Sequence, residues 1–444
     1  MKEEITLLYN EKNYKKIKKI FSTMPASDIA EVLSDFKTQQ LASIFRIINK
    51  DIAVDVFAYL DVSVSSELLE YLPDKDVVNL MDEMHADDAA DILEEMPANI
   101  VDKILKMCSE DTRQDINKLL NYAEDSAGSI MTVEYAELKS TLSIKEAISK
   151  LKEEIDSYET INTCFVVDKN RKIVGDVKLS DILFADKKAK VGDICNKNIH
   201  YVTTSTDQEE VTEYFKKYDL TVMPVVDSES RLVGIITIDD IVDVMDEEAT
   251  EDMKKMAAII PVDKPYSKLT IPDIFLARIP WLLLLMISAT FTGSIIENYE
   301  SQLATCTILT AFIPMLMDTG GNAGGQASVS IIRALSLNDI EFKDIFKVIF
   351  KEFRVALLCA LTLALCNFVK MLLIDKVSII VALCVCLSLM ITITLAKVIG
   401  CSLPMIAKKL KFDPAVMASP FITTIVDACS LLVYFKIATI LLGL

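Results

Sequence analysis

The sequence predicts a multidomain protein: an all-α solenoid of short helices, then a tandem α/β module, then a polytopic α-helical membrane domain with five spans. Three observations predict this order. Apolar residues recur in blocks of constant length, two later segments align with each other without gaps, and long apolar runs fill the last part of the chain. The predicted domains are residues 1–125, residues 126–245 in two copies (126–187 and 188–245), a connecting helix at 246–270, and the membrane domain at 271–444.

The charge of the chain differs between its two parts. The formal net charge of the 444 residues is -19, but residues 271–444 hold 11 acidic and 13 basic side chains, against 54 and 33 in residues 1–270. Nucleic-acid binding needs clustered Lys and Arg, so this class of function is not expected. The first twenty residues have no apolar segment typical of a signal peptide, which predicts a cytoplasmic N-terminal part.

Residues 24–117 consist of similar 12-residue blocks, such as MPASDIAEVL at 24–33, LPDKDVVNLM at 72–81 and MPANIVDKIL at 96–105. Each block combines a polar turn with apolar residues at helical spacing. Helices of ten residues are marginally stable alone, so we expect them to stack into a solenoid. Since such a block is shorter than the usual helical repeats, we expect two consecutive blocks to form one helix pair.

The second repeat joins CFVVDKNRKIVGDVKLSDIL at 164–183 to MPVVDSESRLVGIITIDDIV at 223–242. Each copy has the pattern of strand, turn, strand and helix start. This pattern resembles a tandem pair of cystathionine-β-synthase (CBS) domains, in which a Thr or Ser and a downstream Asp often hold the ribose of an adenine nucleotide. Thr237 and Asp240 fit that role in the second copy, whereas Lys178 replaces the Thr in the first. The resemblance implies one site for ATP or another adenine nucleotide, and a module without nucleotide is the alternative.

Acidic residues dominate the segment that follows the second copy. Four of them are spaced by four residues, so like charges would face each other on a helix, which destabilises it. A divalent cation would remove that repulsion, and a solvated acidic face is the alternative interpretation. The position of the segment between the tandem module and the membrane domain favours a sensor. Its acidic residues are Asp239, Asp240, Asp243, Asp246, Glu247, Glu248, Glu251 and Asp252.

A spanning helix needs about 20 mostly apolar residues. The loop after the first candidate span contains no Lys or Arg, whereas five basic residues lie in 333–354 and four in 397–411. Basic loops stay in the cytoplasm, which predicts a multi-pass protein of the cell membrane with a cytoplasmic N-terminus and an external C-terminus. The candidate spans are residues 279–296, 303–330, 355–374, 377–400 and 416–444.

Two polar features inside these spans are candidate functional sites, because polar groups are costly in a bilayer. Asp427 lies in the last span, and its alternative role is an ion pair that serves packing alone. Asp318 belongs to PMLMDTGGNAGGQ at 314–326, where four glycines predict a broken helix that lines a wet cavity. The alternative for the glycines is close helix packing through small residues.

These features in this order resemble the MgtE family of magnesium channels over essentially the whole chain. The matching segments include AEDSAGSIMT at 123–132, EEATEDMKKMA at 247–257, ARIPWLLL at 277–284, FIPMLMDTGGNAGGQ at 312–326 and DPAVMASPFITTIVDA at 413–428. The resemblance implies a homodimer with ten spans around one pore in the lipid bilayer, and no enzymatic activity. It also implies a connecting "plug" helix at about residues 246–268.

The resemblance further implies the residues of two ion sites. Asp427 resembles the pore aspartate of the family. The rest of that site resembles a turn formed here by Gly321, Asn322, Ala323 and Gly324. Two residues depart from the family pattern. Many members have Asn at the position of Gly325, and members often have Gly or Asn at the position of Ser419. The implied pore residues are Asp427, Thr423, Gly321, Asn322, Gly324 and Asp318; the implied regulatory Mg²⁺ residues are Glu251, Asp252, Asp243, Glu248, Asp240, Asp246, Glu247, Glu209, Asp219, Asp88 and Asp91.

The predicted function is a Mg²⁺-selective channel for magnesium uptake that cytosolic Mg²⁺ closes by binding between the solenoid, the CBS domains and the plug helix. Other divalent cations are further candidate substrates. Mg²⁺ keeps several waters, so paired carboxylates and carbonyl groups suffice to hold the hydrated ion. A Na⁺- or H⁺-coupled divalent cation exchanger is the alternative. A membrane metalloprotease is not expected, because His85 and His200 are the only histidines.

Overall fold

The computed structural model describes residues 1–94, 96–262, 266, 269–417 and 419–443, without the side chains of residues 51, 62, 63, 156, 302 and 419. Its chain divides into two compact units, Met1–Asp246 and Glu247–Leu444. The first unit contains short helices followed by two small sheets, and the second contains long apolar helices.

The N-terminal part of the first unit is a series of short helices. From Ala26 to Glu110 the helices begin at a constant interval, which confirms the repeat predicted from the sequence. Each helix buries one apolar face, as Ile29 and Leu33 show in the first of these helices. The helices are α1 (Lys2–Asn10), α2 (Tyr14–Phe21), α3 (Ala26–Ser34), α4 (Thr38–Phe45), α5 (Lys50–Ala58), α6 (Val62–Tyr71), α7 (Asp74–Glu83), α8 (Ala86–Glu94), α9 (Ala98–Met107) and α10 (Glu110–Leu119).

The packing of these helices differs from the predicted pairing of consecutive blocks. From α3 onward, each helix packs mainly against the second helix along the chain, so α3 contacts α5, α4 contacts α6, and α8 contacts α10, whereas α1 packs against α2. A short turn sends the chain from one column of helices to the other. The apolar face of each short helix is therefore covered by the next helix of its own column, which stabilises helices that would be marginal alone.

Two three-stranded sheets follow, with the same topology in each copy. The first strand of each sheet is parallel to the second, which is antiparallel to the third. Strands β3 and β6 occupy equivalent positions in the two copies, as the sequence alignment predicts. The elements are β1 (Tyr135–Lys139), α11 (Ile144–Glu153), β2 (Thr160–Val167), β3 (Ile173–Lys178), α12 (Leu179–Phe184), α13 (Val191–Ile194), β4 (Val202–Thr203), α14 (Gln208–Tyr218), β5 (Val222–Val226), β6 (Leu232–Thr237) and α15 (Ile238–Met256).

Helix α15 is continuous across the predicted boundary at residue 245, so no separate plug helix begins at residue 246. No Gly or Pro interrupts its 19 residues, and such residues are what usually stop a helix. The described helix ends at Met256, and Ala258 follows with a φ of 54°. Residues 263–265, 267 and 268 of the predicted plug lie outside the described residues.

After the end of α15, the second unit contains six helices within the described residues, joined in part by short 3₁₀ segments. Among the residues that the structure describes, four stretches are long and apolar enough to cross a membrane: Ile271–Asn298, Phe342–Leu373, Ile379–Lys409 and Pro414–Leu442. The predicted span at 303–330 is not among them, because its glycines and polar side chains lower its hydropathy. The helices are α16 (Ile271–Asn298), α17 (Glu300–Thr305), α18 (Ile313–Ser336), α19 (Ile345–Leu373), α20 (Ile379–Lys409) and α21 (Ser419–Leu442), with 3₁₀ segments at Thr307–Phe312, Phe342–Asp344 and Pro414–Met417.

Helix α18 packs against both α20 and α21. Helix α19 packs against α20, and α16 against α21. Leu316, Leu389 and Val426 are buried in the shared core, and the Tyr434 hydroxyl donates a 2.9 Å hydrogen bond to the Leu309 carbonyl.

The glycines of α18 do not break the helix, so the predicted interruption, and the turn at Gly321–Gly324, are wrong. They allow close packing instead, which is the alternative that the sequence left open. A Cβ on Gly400 of α20 would lie 2.2 Å from the Gly324 carbonyl oxygen, and one on Gly324 would lie 3.1 Å from the Ala396 carbonyl oxygen. Each glycine weakens a helix by about 1 kcal/mol relative to Ala, and the close backbone contacts offset that cost.

We predict that Gly400→Ala destabilises the membrane unit by roughly 1–3 kcal/mol, because the added methyl group forces α18 and α20 apart. The matched control is Gly293→Ala in α16, where an added Cβ meets nothing within 4 Å. The control should unfold at the same or a higher temperature, since Ala favours a helix more than Gly. Thermal unfolding in detergent micelles measures both. Equal midpoints for the two variants would contradict the close packing of α18 on α20.

Candidate ion site and candidate cation sensor

Helices α18 and α21 bring the predicted pore residues together. A Cβ on Gly321 would lie 2.9 Å from Thr423 Cγ2, so the glycine lets the Thr423 side chain lie against α18. Asp427 follows Thr423 by one helical turn on α21 and therefore shares its face. The missing side chain at Gly321 thus positions both polar residues of α21 next to α18.

Another face of α18 is polar and exposed. Asp318, Asn322 and Gln326 follow one another at intervals of four residues, and all three are exposed in this chain. Exposed polar groups at membrane depth are costly unless they contact water or other protein. The polar stripe comprises Asp318, Asn322 and Gln326, and such a face is suited to contact with water or with other protein.

Asp427 is half-buried, and its Oδ1 atom has no hydrogen-bond partner among the described residues. The carboxylate of Asp318 is the charged group that acts on it most strongly. Lys436 is exposed, and no ion pair within the described ranges joins Asp427 to a basic side chain, so the packing alternative has no support. A buried carboxylate oxygen without a partner is unfavourable, and a cation would satisfy it.

One chain does not build a chelating metal site, as far as the structure describes its residues. No group of three or more His, Cys, Asp or Glu side chains is arranged to hold a metal ion there. The pore residues offer isolated carboxylates, an amide and a hydroxyl instead. Such a surface suits an ion that keeps its own water shell, as Mg²⁺ does.

A second acidic site lies in the first unit, where α8 meets the tandem module. Asp87 and Asp88 occupy the first turn of α8, and the Ala86 N–H donates to Glu134 Oε1 at 3.1 Å. His85 Nε2 lies 3.3 Å from Glu159 Oε2. The acidic cluster comprises Asp87, Asp88, Glu134, Glu159, Asp239 and Asp240.

Burial, with a smaller effect of the neighbouring carboxylates, raises the pKa values of Asp87, Asp88, Glu159 and Asp240 in this acidic cluster. Burial, followed by the charge of Asp88, raises the pKa of Asp87 well above its usual range, and Asp87 Oδ1 has no hydrogen-bond partner among the residues described. Burial also raises the pKa values of Asp88 and Glu159, although the charge of His85 opposes both shifts. The cluster is therefore a desolvated site of negative charge that would bind a cation favourably.

Asp240 belongs to the acidic cluster and also to the predicted nucleotide site. The Thr237 hydroxyl donates a 2.6 Å hydrogen bond to Asp240 Oδ2, so the two predicted ribose ligands bind each other at the start of α15. Burial raises the pKa of Asp240 to about 6, against the effect of this hydrogen bond.

The remaining predicted sensor acids are spread over the first unit and the end of α15. Glu209 and Asp219 lie at opposite ends of α14, about 15 Å apart at 1.5 Å per residue. Asp91 is exposed on α8. Asp243, Asp246 and Glu247 are exposed along α15, and Glu248 is half-buried there.

Glu251 and Asp252 lie near the end of α15, within the second unit. The Lys255 ammonium contacts Glu251 Oε1 at 2.6 Å and Asp413 Oδ2 at 2.7 Å. Burial, followed by the charge of Asp413, raises the pKa of Asp252. Three carboxylates therefore lie close to one ammonium group at this point.

Family models match nearly all of this architecture. The model described as MgtE intracellular N domain matches residues 24–125, the CBS domain model matches residues 127–188 and 191–247, and the model described as divalent cation transporter matches residues 313–437. The magnesium transporter MgtE of Thermus thermophilus is 38% identical over 337 residues, which cover 74% of this chain and 73% of the relative. The chain belongs to the MgtE family.

Other MgtE relatives agree with this assignment. The magnesium transporter MgtE of Bacillus subtilis is 34% identical over 328 residues, which cover 73% of this chain and 71% of the relative. The crystal structure of the cytosolic domain of the Mg²⁺ channel MgtE in complex with ATP is 31% identical, with a TM-score of 0.52, and covers 55% of this chain and 100% of the other. The soluble part of a magnesium transporter has the same TM-score at 25% identity, and covers 56% of this chain and 100% of the other.

Sequence reasoning missed several residues of these sites. Asp87 is the neighbour of the predicted residue Asp88. The pair of adjacent acidic residues is the feature of the sequence that could have identified it. Glu134 and Glu159 are single charges at the starts of strands, so nothing in the sequence predicts that they meet α8. Lys255 and Asp413 are far apart along the chain and are paired only by the tertiary structure.

The pKa values of Asp87, Asp88, Glu159 and Asp240 are raised. We therefore predict that, in the absence of divalent cations, the first unit is more stable at acidic pH than at neutral pH. A carboxyl whose pKa is raised in the folded state adds stability below its unfolded pKa, and this stability disappears as pH rises through the folded pKa. For Asp240 this loss should therefore fall between about pH 4 and pH 6. Thermal unfolding and hydrogen exchange of α8 in EDTA measure it.

Asp87→Asn should flatten this pH dependence and stabilise the first unit at pH 7.5, by roughly 1.4 kcal/mol for each unit of pKa shift removed. The control is Asp28→Asn, which changes an exposed acid in the first turn of α3, another helix of the same repeat. If both variants keep the wild-type pH profile, the acidic cluster carries no desolvated charge.

Proposed function

We propose that this chain is the subunit of a homodimeric Mg²⁺-selective channel that mediates magnesium uptake across the cell membrane and closes when cytosolic Mg²⁺ is high. The observation that carries the proposal is the half-buried Asp427, with an unpartnered carboxylate oxygen, beside the polar stripe of α18. The magnesium transporters among its relatives support the identity of the ion.

The arrangement suits a hydrated ion. Mg²⁺ releases its water reluctantly, so a carboxylate from each subunit can attract the ion while amide and hydroxyl groups contact its water shell. Asp427, Asn322 and Thr423 would supply these contacts, and Asp318 would add negative charge near the same face. A partial negative field favours cation entry without binding the ion too tightly to leave.

A second copy of the chain would cover the polar stripe. In a single chain this stripe would face lipid, which is unfavourable, whereas two copies can enclose it in a wet pore. Helix α18 is then the fifth span, because it packs between α20 and α21 although its hydropathy is low. Five spans place the N-terminus in the cytoplasm and the C-terminus outside, in accordance with the basic loops.

The acids of the first unit and of α15 would form the sensor. Without Mg²⁺ their mutual repulsion favours separation of the groups that carry them, and the pore is open. Mg²⁺ removes this repulsion and favours the closed state, which requires tighter Mg²⁺ binding to the closed state than to the open one. An adenine nucleotide such as ATP would bind the second CBS domain at Thr237 and Asp240, as the ATP complex of a related cytosolic domain suggests.

We predict that Asp427→Asn abolishes Mg²⁺ uptake while the protein stays folded, because the variant loses the charge that attracts the ion. Uptake into proteoliposomes measures the activity, and thermal unfolding in detergent checks the fold. Lys436→Gln, on the exposed face of the same helix, is the control and should transport normally. Full uptake by Asp427→Asn would exclude this residue from the pore.

Single-channel recording of the wild type in a bilayer separates the channel from a coupled exchanger. Discrete unitary currents that need no Na⁺ or H⁺ gradient are expected for the channel. Uptake that stops when both gradients are removed, without unitary currents, would contradict the channel and favour the exchanger.

We predict that the double variant Glu251→Gln/Asp252→Asn stays open at Mg²⁺ concentrations that close the wild type. The lost Mg²⁺ contacts outweigh the lost repulsion, because each like-charge pair on a helix is worth only about 0.2–0.5 kcal/mol. We expect Mg²⁺ to protect the cytosolic part of the wild type from proteolysis, and we expect the double variant to lose this protection. Asp427→Asn should keep that protection. Normal closure and protection in the double variant would show that Glu251 and Asp252 do not bind the Mg²⁺ that closes the pore.

A further inference from the structure

The end of α15 is held on the membrane unit by one lysine. Lys255 Nζ lies 2.6 Å from Glu251 on its own helix and 2.7 Å from Asp413, which precedes the 3₁₀ segment Pro414–Met417. The side chains of all three residues are partly shielded from solvent, with exposed fractions of 24% for Lys255, 38% for Glu251 and 33% for Asp413. Two carboxylates on one partly buried ammonium bind more strongly than an exposed surface pair.

The apolar side of the same contact reaches the pore helices. Met256 packs against Ile332 of α18 and against Ala415 of the 3₁₀ segment. The Ser328 hydroxyl of α18 donates a 3.3 Å hydrogen bond to the Met417 carbonyl. The segment that Lys255 holds therefore leads directly into α21, which carries Thr423 and Asp427.

The Lys255 ammonium supplies a positive charge among these carboxylates. Asp252 adds a third negative charge near Asp413. Although burial favours the neutral amine, hydrogen bonds to Asp413 and Glu251 raise the pKa of Lys255 above its usual value. The ammonium is therefore a permanent cation of the cluster at neutral pH.

We propose that Lys255 is an internal cation that holds the end of α15 on the segment before α21 when no divalent ion is bound, and that Mg²⁺ competes with it for Glu251 and Asp413. The competition rests on the proposed Mg²⁺-dependent closure, whereas the attachment by Lys255 does not. Removal of the ammonium thus has two separate effects. The contact loosens without Mg²⁺, and Mg²⁺ binds the carboxylates more tightly because its competitor is gone.

Hydrogen exchange of the full-length protein in detergent micelles tests both effects. The readout is the peptide that covers residues 411–417, measured in EDTA and over a series of MgCl₂ concentrations. Lys255→Gln should exchange about fivefold faster than the wild type in EDTA, and half-maximal protection should need about fivefold less Mg²⁺. The matched control is Lys254→Gln, because Lys254 Nζ donates to the Val262 carbonyl at 2.7 Å and touches no carboxylate of this group. This control should match the wild type in residues 411–417.

A double-mutant comparison identifies the partner. Asp413→Asn keeps an oxygen for the 2.7 Å hydrogen bond from the Ala415 N–H but loses the charge that binds Lys255. In EDTA it should loosen the same peptide, and Lys255→Gln should add little to it. Additive effects of the two substitutions, or an exchange rate of Lys255→Gln equal to the Lys254→Gln control, would overturn the attachment. An unchanged Mg²⁺ requirement in Lys255→Gln would overturn the competition.

The same experiment separates this inference from the proposed function. If Mg²⁺ protects no segment of the wild type, the Mg²⁺-dependent closure fails, and the EDTA comparison still decides the attachment. If Mg²⁺ protects the wild type but Lys255→Gln behaves as the control, the closure stands and the role of Lys255 is overturned.

Discussion

The backbone contact between Gly324 of α18 and Gly400 of α20 is the constraint on which the membrane unit depends. A methyl group on Gly400 would lie 2.2 Å from the Gly324 carbonyl oxygen, and one on Gly324 would lie 3.1 Å from the Ala396 carbonyl oxygen, so the main chains of the two helices approach each other closely. This contact turns the small-residue face of α18 inward. As a consequence, Asp318, Asn322 and Gln326 lie on the outward face, where a membrane helix normally presents apolar side chains.

Partly buried carboxylates lie at three places in this chain. At each place the negative charges outnumber the basic side chains that contact them. In the acidic cluster burial raises the pKa values of Asp87 and Asp240, so the ionised groups oppose the docking of α8 on the tandem module. In the membrane unit Asp427 leaves a buried oxygen without a partner in the part of the chain that is described. At the end of α15, by contrast, Lys255 already supplies a positive charge. An ion that binds the first two places would gain free energy from charges that the fold leaves unbalanced.

The contacts at the end of α15 also connect this helix to α21, which carries Asp427. Lys255 and Met256 contact the residues that precede α21, and Ser328 ties the same segment to α18. A change at the end of α15 therefore acts on a segment that touches both helices of the candidate ion site. Discrete contacts of this kind transmit a two-state change better than a flexible linker does.

The sequence by itself determined the elements and their order, because periodicity is local. The period of the short blocks predicted where α3 to α10 begin, the alignment of the two later segments predicted β3 and β6, and Asp427 was identified as the one carboxylate of the last apolar run. What only the tertiary structure decided depends on contacts between distant segments. When α18 is considered alone, its glycines predict a broken helix. In the structure α20 and α21 cover these glycines, and α18 is continuous. The pairing of Lys255 with Asp413, and the meeting of Asp87 with Glu134 and Glu159, have no local signal, since a charge in a sequence carries no information about which distant charge it will face.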